Sequence, residues 1–434
     1  MIQEKSKEIH LIGQGTYGCV FYPGIKCGRK QPKDPNHIVT KIQEAINSTL
    51  DELEIGKLVQ TIPKYQQFFA PIVENCNINL STINSKEIEK CELDLKDKHT
   101  KFLSNKIPYV GKLSMGKYIN KKMDIIRKKY ITLKKGSLTV TKQVELLKQF
   151  LIKIISSHIY LSESVLLLQQ KDIIHFDLKE NNVMYDEKRD VPIIIDFGLS
   201  VDMNKLKTVK DFKREFNYSR YETCAHWPIE ASILIHICKN IILPTDKNFI
   251  SLDQKITSTA ALKDSIKRFL NDDSIDNRHI GISEELKKRF EVKVIHYVNS
   301  FIGKTWKDLW NSLLESRNTW DTYSLAQLFH YELYKLQLTG DKLAKYFIGT
   351  YSTLLINIIM AEPTKRVTLL STIEQMKQIV KNIKKKDSDS LIKLLKPVVQ
   401  TEDYSDSIKK LQIQHEYNEE LNDKVIVNNQ MNKV

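Results

Sequence analysis

Long apolar runs are what this sequence most clearly lacks. Among its 434 residues, no stretch approaches the ~18 uninterrupted apolar residues that a membrane-spanning helix needs. The N-terminal Met-Ile-Gln-Glu-Lys-Ser-Lys-Glu holds no apolar region of a secretory signal, and no internal repeat is visible. We therefore expect a globular chain with no membrane span, long enough to bury a sizeable core.

Cysteines are few and scattered. No two of the six lie at the short spacing typical of zinc sites or small disulfide-rich domains. The sequence therefore predicts neither zinc nor a disulfide framework, and it favours a reducing intracellular compartment. The six are Cys19, Cys27, Cys76, Cys91, Cys224 and Cys238.

Acidic residues are too few to balance the basic ones, which leaves a formal charge of +14. Residues 112–135 hold nine basic residues and one acid, and residues 205–214 form a second basic run. Such surfaces attract acidic substrates, nucleic acid or anionic lipid. Aromatic residues are scarcely interleaved with them, so a nucleic-acid surface is not supported. The simpler explanation for the basic runs is that the chain is rich in Lys, Asn and Ile throughout. The sequence indicates no particular oligomeric state.

The most informative stretch is residues 173–198. It reads Ile-Ile-His-Phe-Asp177-Leu-Lys179-Glu-Asn-Asn182 and, after a short charged turn, Ile-Ile-Ile-Asp196-Phe-Gly. One carboxylate, one lysine and one amide thus lie close together, and a second carboxylate follows an apolar run. Phosphoryl transfer from ATP needs this set: a carboxylate to orient the attacking hydroxyl, a cation near the transferred phosphate, and two oxygen ligands for Mg²⁺.

This stretch resembles the catalytic core of eukaryotic-type protein kinases. The resemblance implies that Asp177 is the catalytic base and that Lys179 stabilises charge on the transferring phosphoryl group. It also implies that Asn182 and Asp196 hold Mg²⁺. ATP and Mg²⁺ are then the expected cofactors, and proteins are the expected substrates.

A glycine-rich segment near the N-terminus fits the same family. Its Gly-x-Gly-x-x-Gly spacing also occurs in dinucleotide-binding folds, where a helix follows at once. Here residues 20–23 read as a second strand, which predicts a hairpin that donates backbone N–H groups to phosphates. The residues expected at the nucleotide from this segment are Ile12, Gly13, Gly15, Gly18 and Val20.

Residues 38–41 resemble the third kinase strand, whose lysine, here Lys41, contacts the α- and β-phosphates. A lysine in that position needs a carboxylate partner, because an unpaired buried charge is costly. The helical stretch at residues 50–59 offers Glu52 and Glu54. We choose Glu54, because apolar residues four positions before and after it share its helix face. Glu52 remains the alternative.

Two apolar residues are expected at the adenine. The resemblance places Met184 at the floor of the pocket and Val39 at its roof, although either residue type is also ordinary core.

Phe176 departs from the family, which usually has an arginine before the catalytic aspartate. That arginine pairs with a phosphate on the activation loop. Without it, we expect constitutive activity or control by a partner.

Later motifs follow in the family's order. Residues 227–230 resemble its Ala-Pro-Glu motif with one residue interposed, so Glu230 should pair with Arg366. Thr223 occupies the position of a threonine that contacts the catalytic aspartate and lysine, with an inconsequential loop threonine as the alternative. Asp321 should brace the backbone of the catalytic loop.

The resemblance implies an α+β, bilobal protein-kinase-like fold. The small, antiparallel β-rich N-lobe with its helix would span residues 1–110, and the large, mainly helical C-lobe residues 111–400. A helical insertion is expected at about 231–320 and a polar tail at 401–434. Helical periodicity in the insertion favours packed helices over disorder.

The expected function is ATP-dependent serine/threonine protein kinase, since a lysine two residues after the aspartate is typical of that class. One alternative is a pseudokinase scaffold, which should have lost one of the key polar residues. The other is a small-molecule kinase of the choline or aminoglycoside type, which shares the His-x-Asp-x-x-x-x-Asn pattern. Within protein kinases the chain most resembles those of large nucleocytoplasmic DNA viruses. This implies a location in host cytoplasm or in the virion.

Overall fold

A computed structural model describes residues 9–15, 18–26, 35–78, 86–93, 100–133, 140–206, 208, 211–212, 214, 226–241, 251–271, 281–335 and 342–385. The chain is α+β, with an N-terminal antiparallel sheet followed by a mostly helical C-terminal region. The predicted fold class is confirmed at this level. We call the two parts the sheet region (residues 9–108) and the helical region (residues 109–385).

Ten strands form one large and two small sheets within the described residues. They are β1 His10–Gly15, β2 Gly18–Tyr22, β3 Ile38–Glu44, β4 Phe69–Ala70, β5 Glu74–Asn77, β6 Phe102–Pro108, β7 Ile173–Ile174, β8 Val183–Asp186, β9 Val191–Ile195 and β10 Val201–Asp202. The large sheet has the order β1-β2-β3-β6-β5, and its neighbouring strands are antiparallel. The small sheets have the orders β4-β9-β8 and β10-β7.

The glycine-rich segment forms the predicted hairpin. β1 pairs with β2 so that Gly15 faces Gly18, and the next element after β1 is a strand, not a helix. An added Cβ at Gly18 would lie 2.8 Å from the carbonyl oxygen of Ile42, so only glycine lets β2 approach β3 this closely. This hairpin is therefore unlike the strand–helix turn of a dinucleotide-binding fold.

Helices make up most of the other residues that the structure describes. They are α1 Asn47–Gln60, α2 Met115–Leu133, α3 Val140–Gln169, α4 Ile229–His236, α5 Ala260–Asn271, α6 Glu284–Asn299, α7 Trp306–Glu315, α8 Trp320–Lys335, α9 Lys342–Ile359 and α10 Leu369–Lys385. The predicted insertion does contain packed helices: Phe290 and Val294 of α6 and Leu309 of α7 are buried.

The main core lies in the helical region, where α3 packs against β9, α8 and α10. Residues 145–169 of α3 are long and apolar enough to cross a membrane, yet 56% of their most apolar window is buried inside the protein. A central core helix of a globular protein has the same length and composition. This helix is therefore weak support for a membrane span.

A second, smaller core lies in the sheet region around Phe21, Ile42 and Phe102. Within this core Cys19 of β2 and Cys91 form a disulfide, and Cys76 is disulfide-bonded as well. The prediction that the cysteines form no disulfides is therefore wrong. Cys19 and Cys91 are 72 residues apart in sequence, so their spacing gave no signal, and the folding of the sheet brings them together.

Candidate active site

A cleft of about 590 Å³ lies between the sheet and helical regions. The β1–β2 hairpin and β3 line one side, and the segment after β7 and the end of β9 line the other. Every predicted nucleotide residue but one reaches it. Those present are Ile12, Gly13, Gly15, Gly18, Val20, Val39, Lys41 and Met184. The exception is Glu54.

Lys41 extends from β3 into this cleft and meets two carboxylates. Its Nζ lies 2.9 Å from Asp196 Oδ1 and 3.1 Å from Glu52 Oε1. Burial alone would favour the neutral amine, but Asp196 and Glu52 outweigh it and raise the pKa of Lys41. A carboxylate from α1 and another from the distant end of β9 therefore meet at one charged lysine.

The expected pairing of Lys41 with Glu54 is wrong, and the alternative, Glu52, is its partner. Glu54 has a side chain 57% exposed and pairs with Lys205. The buried face of α1 instead carries Glu52 with Gly56 and other residues spaced three or four apart. A Cβ at Gly56 would lie 2.7 Å from the carbonyl oxygen of Ile72. This close backbone contact turns the Gly56 face inward, and Glu52 with it.

Asp177 sits in a short loop after β7 whose backbone is fixed from behind. Asp321, at the start of α8, accepts hydrogen bonds from the backbone N–H groups of His175 at 2.8 Å and Phe176 at 3.0 Å. This confirms the predicted brace. Phe176 has a φ of 64°, a conformation uncommon for a residue with a bulky side chain. The two hydrogen bonds support that conformation and fix the backbone position from which the Asp177 side chain extends.

The carboxylate of Asp177 gathers donors from its own loop and from beyond it. Its Oδ2 accepts from Asn182 Nδ2 at 2.6 Å and lies 3.0 Å from Lys179 Nζ. His226 Nε2 lies 3.2 Å from Oδ1. Burial acts to raise the pKa of Asp177, but His226 and Lys179 outweigh it and lower the pKa to about 2. Asp177 is therefore an anion at neutral pH.

Asn182 and Asp196 offer the oxygen ligands that Mg²⁺ prefers. Asn182 uses its amide nitrogen to donate to Asp177, which leaves its oxygen as the atom suited to a cation. Asp196 follows β9, and its carboxylate is 40% exposed, with Oδ1 paired to Lys41. Burial acts to raise the pKa of Asp196, but Lys41 outweighs it and keeps the carboxylate ionised.

A fit to Mg²⁺ also depends on how many protein ligands are present. No group of three or more His, Cys, Asp or Glu side chains is placed to hold a metal within the described ranges. Mg²⁺ commonly binds through one or two carboxylates together with substrate phosphates and water. One carboxylate and one amide that line the same cleft match that requirement. An added Cβ at Gly13 or Gly15 would meet no atom within 4 Å, so the opening beside them has room for phosphate oxygens.

A buried ion pair joins α4 to the segment between α9 and α10. Arg366 Nη1 and Nη2 lie 2.7 and 3.1 Å from the two carboxylate oxygens of Glu230, and both side chains are fully buried. Arg366 also donates to Thr319 Oγ1 at 3.1 Å. The predicted partnership is confirmed, with the two-pronged geometry that arginine and carboxylate favour.

Phe176 takes part in an aromatic cluster that the sequence did not reveal. Its ring stacks on Trp227 with centroids 4.8 Å apart and contacts Trp320 at 5.6 Å. Trp227 Nε1 also donates to the carbonyl oxygen of Phe176 at 2.8 Å. Phe176 therefore joins its loop to the start of α4 by aromatic packing and a hydrogen bond.

The sequence analysis did not choose Glu52 and did not identify His226, and it named a third residue, Thr223, that lies outside the described residues. Glu52 had a usable signal, since it shares the helix face of Ile55, Gly56 and Val59. His226 had none, because its contact to Asp177 spans two distant segments. Thr223 lies outside the described residues, so its predicted contacts stay a prediction.

Comparison with models of known protein families finds no match for this chain, and comparison with curated proteins finds none either. A function must therefore be inferred from the arrangement of the site and from the motifs that led to it.

Proposed function

We propose that this protein is a serine/threonine protein kinase, which transfers the γ-phosphate of ATP to hydroxyl groups of proteins. The observation that carries the proposal is the contact of Lys41 Nζ with Asp196 Oδ1 at 2.9 Å, between residues 155 apart in sequence. It sets a cation and a carboxylate from opposite walls of the cleft beside Asp177, Lys179 and Asn182. These are the groups that phosphoryl transfer requires.

ATP would bind beneath the β1–β2 hairpin, with its adenine between Val39 and Met184 and its phosphates near Lys41. Asp177 would orient the substrate hydroxyl for in-line attack. The hydroxyl oxygen forms a bond to the γ-phosphorus while the bond from that phosphorus to the β–γ bridging oxygen breaks, and ADP leaves. The hydroxyl proton passes to Asp177. Because Asp177 is a weak base, most of the rate gain would come from positioning and charge compensation.

Asn182 and Asp196 would hold Mg²⁺, which when bound neutralises charge on the nucleotide phosphates. Lys179 would act at the transferring phosphoryl group, 3.0 Å from the carboxylate that orients the acceptor. Glu52 would keep Lys41 charged and in position.

Three contacts favour a protein kinase over a small-molecule kinase. The Asp321 brace, the Glu230–Arg366 pair and the location of Lys179 beside Asp177 are features that the resemblance assigns to a peptide-binding lobe. They also support the finer inference that the α+β architecture is the bilobal kinase-like fold. Against a pseudokinase, none of the key polar groups is missing: Lys41, Asp177, Asn182 and Asp196 all face one cleft.

The test is transfer of radiolabelled γ-phosphate to a generic basic protein by the wild type and by Asp177→Asn. We expect serine and threonine labelling by the wild type. We expect a loss of about 10²- to 10⁴-fold in the variant, the range for removing a positioned acid–base group. Circular dichroism should show the same fold for both. Equal labelling by the two proteins, or none by either, would reject the proposal.

A further inference from the structure

His226 contacts the carboxylate on which the proposed chemistry depends. Its Nε2 lies 3.2 Å from Asp177 Oδ1, and only 17% of its side chain is exposed. Because an ionised carboxylate only accepts hydrogen bonds, Nε2 must carry the hydrogen in this contact. His226 is therefore a donor aimed at Asp177 from outside the catalytic loop.

The two oxygens of Asp177 are loaded unequally. Oδ2 faces two donors, Asn182 Nδ2 at 2.6 Å and Lys179 Nζ at 3.0 Å. Oδ1 faces His226. Each carboxylate oxygen can accept about two hydrogen bonds. Within the described residues, Oδ2 is therefore fully used by its own loop, whereas Oδ1 keeps an acceptor position for one further donor.

The backbone around His226 is held on two sides. Ser324 Oγ, on α8, donates to the carbonyl oxygen of His226 at 2.6 Å. The next residue, Trp227, stacks on Phe176 and donates to the Phe176 carbonyl oxygen at 2.8 Å. Phe176 directly precedes Asp177 in the chain. The imidazole is thus fixed relative to the loop that carries Asp177.

We propose that His226 is a positioning residue, which orients Asp177 so that Oδ1 receives the hydroxyl of the protein substrate. The inference rests on the proposed kinase function and assigns a task to a residue that the motifs did not identify. Without this donor, the carboxylate loses the contact that fixes Oδ1 and can rotate away from the acceptor hydroxyl. A displacement of about 1 Å at a reacting group can cost about 10²-fold in rate.

Four variants separate positioning from packing. His226→Leu removes the donor, and His226→Asn keeps a polar amide that is too short to reach Asp177. His226→Gln places an amide N–H at about the reach of Nε2. His296→Leu is the matched control, since His296 is exposed on α6 in the predicted insertion.

The measurement is steady-state phosphorylation of the same basic protein, with kcat and the KM for ATP determined separately for each full-length variant. We expect His226→Leu and His226→Asn to lose about 10- to 100-fold in kcat with the KM for ATP nearly unchanged. His226→Gln should stay within about threefold of the wild type, and His296→Leu should match it. If His226→Leu does not fold, the comparison of Gln with Asn decides.

The inference is overturned if Leu or Asn keeps wild-type kcat, if Gln loses as much as Asn, or if the loss lies only in the KM for ATP. Its failure differs from failure of the proposed function. If only the inference about His226 fails, the wild type transfers phosphate, Asp177→Asn does not, and the His226 variants behave alike. If the proposed kinase function fails, the wild type is as inactive as Asp177→Asn.

Discussion

The sheet and helical regions hold their charged groups in the cleft by different means. In the sheet region, Lys41 is held by Glu52 of α1 and by Asp196 from the opposite wall. In the helical region, Asp177 Oδ2 is held by Lys179 and Asn182, both within five residues of it, and Oδ1 is held by the distant His226. One half of the site thus depends on the assembled fold, and the other is largely encoded in a single loop.

The two regions also differ in how they are stabilised. The sheet region has a small core that includes a disulfide. The helical region has a continuous apolar core crossed by the buried Glu230–Arg366 pair. Small cores supply little stabilisation by burial and commonly rely on covalent links. Variants that remove either the buried ion pair or the disulfide should therefore lower the stability of one region at a time.

The largest effect on stability is expected from Arg366→Met in the helical region. Removing one member of a fully buried ion pair leaves the other charge uncompensated, which costs about 3–5 kcal/mol. Urea unfolding measures this loss. The adjacent Lys365→Met is the control, because Lys365 pairs with Glu362 at the surface and should cost less than about 1 kcal/mol. Equal losses for the two variants would show that the buried pair has no special weight.

Next in size is the loss of the Cys19–Cys91 disulfide in the sheet region. We expect Cys91→Ser to cost about 2–4 kcal/mol, because the unfolded chain gains freedom. Cys19→Ser should cost a similar amount, and the double variant should cost no more than either one. Urea unfolding under non-reducing conditions measures all three. Additive losses would mean that the two cysteines act independently.

The effect of Glu52→Gln should be smaller in free energy and confined to activity. The neutral amide still fits beside Lys41 but no longer balances its charge, so we expect about a tenfold loss in kcat/KM for ATP, or about 1.4 kcal/mol. Glu54→Gln, two residues away, is the matched control and should change kcat/KM less than twofold, because surface pairs contribute little. The reverse order would restore Glu54 as the functional carboxylate.

The contrast between the regions explains how far the sequence could predict the site. Asp177, Lys179 and Asn182 follow from local order along one loop, and the structure brings them together. Glu52 and Glu54 lie about 200° apart around a helix. Ile55 and Val59 favour the Glu52 face, but Leu50 and Leu58 favour the Glu54 face in the same way, so the two periodic signals compete. The contact of Gly56 with the backbone of Ile72 decides it.

Contacts between residues far apart in sequence were predicted only where each of the two residues lies in a recognisable motif. Glu230 and Arg366 were matched because each lies in a recognisable context, and their pairing is confirmed. His226 lies in no such context, and neither do Cys19 and Cys91. Their partners are fixed by chain paths through the fold, which spacing in the sequence does not record. The α+β class was expected from the family resemblance of the motifs, and the structure confirms it at that level.

The most direct test of the central claim is calorimetric titration of ATP with Mg²⁺ into the wild type, Lys41→Met and Asp196→Asn. If Lys41 and Asp196 meet at one nucleotide, the wild type should bind one ATP per chain, and each variant should bind about 10- to 100-fold more weakly, as expected for a lost charge-assisted contact. Asp177→Asn should keep wild-type affinity, because it acts on the acceptor hydroxyl. Absence of ATP binding by the wild type, or equal affinity in the wild type and in both cleft variants, would contradict the account.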